Sequence, residues 1–119
     1  MSDIEKAQRA AWRWYKQWRK RGCYSPVLKS EIRISEKGWR HIKGQAMGSK
    51  RNPHDMHYRF LILPLAEEVI TTAAGYTTSH KAQGSFVILE KSIRGDVFRV
   101  VLIDDARVGL IFLSIMRKS

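Results

Sequence analysis

Apolar positions recur along this chain with two periods, and the change of period organises it. From about Asp3 to Arg21, Ile4, Ala7, Ala11, Trp14 and Trp18 fall at helical spacing, widened by Trp12 and Tyr15. Arg9, Arg13, Lys16 and Lys20 form a basic stripe on the other side. Ser2 and Glu5 have the spacing of a capping box, Arg19, Lys20 and Arg21 suit the negative helix end, and Gly22 stops the helix. Packing is the first expectation for Trp14 and Trp18; base stacking by Trp12 or Tyr15 is the lesser one.

Next, "CYSPVLKS" reads as a linker and "EIRIS" as a short alternating strand, after which Ser35 can cap a helix carrying "EKGWRHIKGQ". The basic loop "GQAMGSKRNPH" presents Lys50 and Arg51 at its tip, suited to phosphate and equally to water. Asn52–Pro53 has the form of a cap and first-turn proline for "HDMHYRFLILPLAEEVITTA", in which Pro64 should kink or restart the helix. Beyond it the period drops to two. "GYTTSHKAQ" reads as a strand or extended arm, and "SFVILEKSI", "DVFRVVLID" and "VGLIFLSIMRK" as strands of an antiparallel meander joined by "RGD" and "DDAR". Strict alternation in the last strand puts Leu110, Phe112, Ser114 and Met116 on one face and Ile111, Leu113, Ile115 and Arg117 on the other. A serine in so apolar a strand needs a hydrogen-bond partner.

These elements predict an α+β fold, helices packed on a small antiparallel sheet, with residues 1–22 as a basic amphipathic helix and 23–119 as a single domain. At 119 residues the chain can bury a real core. Cys23 is the sole cysteine, which excludes an internal disulfide and a thiolate metal cluster and fits a reducing compartment. With neither a membrane-length apolar run nor a signal-peptide core, the expected site of action is cytoplasmic.

Charge sharpens the picture. The chain carries 22 Lys/Arg against 11 Asp/Glu, a net +11. Residues 1–59 hold 15 basic and 5 acidic residues, whereas residues 60–119 hold 7 and 6. That asymmetry points to a polyanionic partner: nucleic acid, an acidic protein or a membrane surface. No glycine-rich phosphate loop precedes a helix, no nucleophile elbow occurs, and no acidic pair is set to hold catalytic magnesium. His54 and His57, three apart, lack further ligands in a zinc pattern, so no metal and no cofactor are expected.

The remaining inventory suits metal-free RNA cleavage, in which the RNA's 2′-hydroxyl attacks the adjacent phosphorus. Histidine moves the protons and fixed cations stabilise the phosphoryl charge. His41 lies among Lys37, Arg40 and Lys43, cations that bias an imidazole toward its neutral form. Helical geometry turns it nearly opposite Trp39, which makes it exposed. An idle surface histidine fits the same description.

The order of "IRIS", "WRHI", "LPLAEEVI" and "FVILEKS…FRVVLID…GLIFLSIMRK" resembles the phage-encoded branch of the barnase–EndoU–colicin–RelE-like ribonuclease superfamily, over about residues 30–118. The resemblance implies helices on a small antiparallel sheet, metal-independent RNA cleavage on the exposed side, and a toxin or mobile-element setting. It implies His41 as base or acid, Arg99 and Lys91 as phosphate clamps, and Ser114 as an orienting or phosphate-contacting hydroxyl. Many relatives carry a second histidine a few residues beyond the first; here "KGQAMG" stands there, and His57 is the substitute. Arg13, Lys16, Arg40, Lys43, Lys50, Arg51, Arg117 and Lys118 are the expected RNA contacts. The substrate would be tRNA or another structured RNA, and a toxin would have an acidic immunity or antitoxin partner. The alternatives are a nucleic-acid-binding module without chemistry, or a phage-encoded factor docking an acidic host protein.

Overall fold

The computed structural model describes residues 2–44 and 52–118, so Lys50 and Arg51 lie outside the described residues. Helix α1 (Asp3–Arg21) begins with the capping box: Glu5 N–H donates to Ser2 Oγ at 3.2 Å, and Ser2 N–H donates to Glu5 Oε1 at 3.2 Å. It ends at Gly22, whose φ of 77° suits glycine and whose N–H donates to the Trp18 carbonyl at 2.9 Å. The face that enters the core is Ala11, Tyr15 and Trp18, while Trp14 is half-buried against Trp18. Tyr15, not Trp14, goes inside because its hydroxyl has a buried use: it donates to the Ser35 carbonyl. Burial, the largest influence, pushes that phenol's pKa well above the usual tyrosine range. Trp18 meets Phe112 edge to face at 5.1 Å, which ties the helix to the far end of the chain. The basic amino-terminal helix and the rest therefore share one core.

The expected linker is in fact a hairpin. Strands β1 (Cys23–Ser25) and β2 (Ser30–Ile32) pair antiparallel, and Ser25 Oγ accepts from Leu28 N–H at 3.2 Å to brace the turn. Three residues are too few to show a period of two, which is why β1 was not visible in the pattern, whereas β2 overlaps the expected "EIRIS" strand. Arg33 continues β2 into a parallel bridge with the last strand: its N–H donates to the Leu110 carbonyl at 2.8 Å and its carbonyl accepts from Phe112 N–H at 2.9 Å. Cys23 is buried here, and burial pushes its thiol pKa up to about 11.

Three helices follow: α2 (Glu36–Ile42), α3 (Pro53–Ile62) and α4 (Leu65–Thr72). Asn52 Oδ1 accepts from Asp55 N–H at 2.9 Å to cap α3, with Pro53 in its first turn. Pro64 restarts the helix, as its missing N–H requires. The sheet then forms in sequence order from β3 (Tyr76–Lys81), β4 (Gly84–Ile93), β5 (Asp96–Asp105) and β6 (Gly109–Arg117), all antiparallel. Helix α4 packs on β4 and β5, and α2 and α3 pack on β6. Leu89, Val100, Leu102, Phe112 and Ile115 from the sheet meet Trp18, Ile42, Leu63, Val69 and Ile70 in the core.

The last strand breaks the expected alternation. Val101 pairs with Ser114 but Leu102 pairs with Phe112, leaving Leu113 as the extra residue of a β-bulge. Phe112 and Ile115 thus both enter the core, while Leu113 and Met116 both line a cleft on the opposite side of the sheet. No helix among the described residues is long and apolar enough to cross a membrane.

Candidate nucleic-acid interface

The site is set by how closely α2 lies on β6. A Cβ at Gly38 would stand 2.7 Å from the Phe112 carbonyl oxygen and 2.6 Å from the Tyr15 hydroxyl, so only glycine lets the two backbones approach this far. His41, three residues on, lies within about 60° of that contacting side of the helix. It is consequently half-buried, with its Nδ1 buried, and not exposed as helical geometry relative to Trp39 had implied.

Ser114 is 1% exposed, and its hydrogen-bond partner is a residue the sequence reading missed. Arg59 Nη1, reaching from α3, donates to Ser114 Oγ at 2.7 Å. Asp55, one turn earlier, lies 3.9 Å from Arg59 Nε. The Arg59 side chain is 13% exposed, so this guanidinium is largely withdrawn from water and fixed by both neighbours. The signal was present: a hydroxyl in an apolar strand demands a donor, and "YRF" supplies a cation directly before the apolar run "FLIL". Helices α2 and α3 pack on each other and both pack on β6, so the elements bearing His41, Arg59 and Ser114 meet at one junction.

The other expected residues divide between the two sides of the sheet. Lys91, Phe98 and Arg117 form one cross-strand row on the helix-facing side, where the Arg117 guanidinium lies over the Tyr58 ring of α3 at 5.5 Å. Glu90, Arg99 and Met116 form the adjacent row, which faces the opposite way. There Arg99 donates to Glu90 from both Nε and Nη2 at 2.9 Å, and Lys118 Nζ lies 3.5 Å from the same carboxylate. Chiefly through the Arg99 hydrogen bond, the Glu90 carboxyl is held below the usual carboxylate range. Arg99 and Lys118, expected to meet phosphate, are thus engaged with the Glu90 carboxylate, whereas Ser114, opposite Val101 in the ladder, is held by Arg59. The Arg99 side of the sheet carries a cleft of about 380 Å³ lined mainly by apolar side chains, among them Phe86, Ile88, Val101 and Leu113.

His57 is half-buried on α3, one turn after exposed His54, and among the described residues no group of three or more His, Cys, Asp or Glu is gathered as a metal site. Arg13 and Lys16 on α1 and Arg40 on α2 are exposed. Lys16 Nζ lies 5.6 Å from the Trp12 ring centre and Lys43 Nζ 6.0 Å from that of Trp39. The two indoles are 4.9 Å apart and form the wall of a second cleft, of about 520 Å³, between α1 and α2. Compared with known proteins, the chain matches no protein-family model, no curated protein and no solved structure.

Proposed function

We propose that this protein is a metal-independent endoribonuclease of toxin or phage type, acting on tRNA or another structured RNA. The observation that carries the reading is the Arg59–Ser114 pair at the junction of α2, α3 and β6. A guanidinium withdrawn from water and held by a hydroxyl and a carboxylate is a pre-aimed positive charge, which is what a phosphoryl group gaining charge requires. In this scheme His41 removes the proton from the ribose 2′-hydroxyl, whose oxygen attacks the adjacent phosphorus. The bond to the 5′-oxygen of the next nucleotide breaks, that oxygen takes a proton from a general acid or water, and a 2′,3′-cyclic phosphate is left. His57 is the candidate acid. Arg59 faces the phosphoryl oxygens, Ser114 positions Arg59, and Lys91 and Arg117 extend the cationic side toward flanking phosphates. The resemblance in strand and helix order supports the same assignment for His41.

The experiment is end-group analysis of total RNA after expression of the wild type, His41→Ala and Arg59→Lys. Cyclic phosphate ends should appear with the wild type, vanish with His41→Ala, and fall by about 10²-fold or more with Arg59→Lys, since one lost electrostatic donor costs on that order. Intact RNA with the wild type overturns the enzyme reading. It would leave the nucleic-acid-binding alternative, which the exposed basic stripe of α1 favours. A partner that survives nuclease treatment of a lysate would instead mark docking on an acidic protein.

A further inference from the structure

We infer that the cleft between α1 and α2 is a binding site for a guanine nucleotide, either free or unpaired within an RNA strand. At about 520 Å³ it has the size of a small-molecule site. Trp12 and Trp39 supply an aromatic wall, and Arg9 and Lys43 line the same space. A flat ring joined to a phosphate is the ligand that uses both features, stacking on the half-buried Trp12, which the buried Trp39 backs, while its anion meets the cations.

Glu36 selects the base. Its exposed carboxylate lines the cleft and forms no hydrogen bond or ion pair with any described residue, although the chain carries a net charge of +11. An ionised carboxylate only accepts hydrogen bonds. Guanine alone among the four bases offers two adjacent donors, N1–H and the N2 amino group, on its pairing edge. Adenine and cytosine place a ring acceptor beside the amino group, and uracil flanks its single N–H with two carbonyls. Each of those would set a lone pair against the Glu36 oxygens. The second carboxylate of the cleft, Glu5, is already committed to Ser2 in the α1 cap. None of His41, Arg59 and Ser114 lines this cleft, so the inference does not rest on RNA cleavage.

The test is calorimetric titration of the full chain with the four nucleoside 5′-monophosphates. They carry the same phosphate, so general attraction to a basic protein cancels in the comparison. Guanosine monophosphate should bind roughly tenfold more tightly than the other three, the discrimination a two-donor contact gives. Glu36→Gln should abolish that preference, and Lys43→Ala should weaken all four together. His41→Ala should bind guanosine monophosphate as the wild type does, which separates this result from the outcome of the cleavage experiment. Equal affinity for all four nucleotides, a preference that survives Glu36→Gln, or no binding at millimolar concentration overturns the proposal.

Discussion

Two guanidiniums of this protein, Arg99 on β5 and Arg59 on α3, are used for opposite purposes according to the partner each meets. Arg99 and Arg59 are both half-buried guanidiniums, but one is neutralised by Glu90 on an open sheet face and the other is anchored by Ser114 beneath two helices. The Glu90 cluster has a measurable consequence. Its carboxyl titrates below the ordinary range when folded, so the contribution is fully present above the unfolded carboxyl's pKa, near 4.5, and is lost as pH falls through the lower folded value. Urea midpoints measured from pH 6 to pH 3 should fall for the wild type and fall less steeply for Glu90→Gln. A parallel decline in both would show that the pairing adds nothing, as holds for many exposed ion pairs. At this scale the sequence was partly legible: Ser114 announced its need for a donor, but Arg59 lies 55 positions away and nothing local links the two.

Whole elements followed the hydrophobic period where they were long enough to express it. The capped α1, the break at Pro64 and the three long strands are visible from composition and spacing alone. Strand β1 is not, because it has only three residues; β2 overlaps the expected "EIRIS" strand, but its pairing with β1 and the docking of Arg33 on β6 are long-range features that spacing does not carry. Nor is the bulge at Leu113, which reverses the facing of every later residue of β6. The close crossing of α2 over β6 depends on Gly38. Gly38→Ala should destabilise the fold by about 1–3 kcal/mol, the usual cost of overpacking, despite alanine's better helix propensity. Equilibrium denaturation reads this directly, and unchanged or increased stability would mean that α2 can withdraw from β6 at no cost.

For the molecule as a whole, the charge lies mostly in the first half of the sequence, and the fold turns that into exposed cations along α1 and α2. Binding to single-stranded RNA should weaken linearly on a log–log plot against salt. Removing one phosphate-contacting cation, as in Lys16→Ala, should reduce the slope by roughly 0.7. A filter-binding series over salt concentration checks this, and an unchanged slope would place the RNA elsewhere.

The same architecture has turned its only sulfhydryl into an internal clock. Cys23 sits on β1 against α4 with a thiol that resists ionisation, so a disulfide reagent must wait for the molecule to open. Labelling at neutral pH should therefore advance at the pace of unfolding, accelerate on adding urea, and time the loosening of the hairpin without any introduced probe.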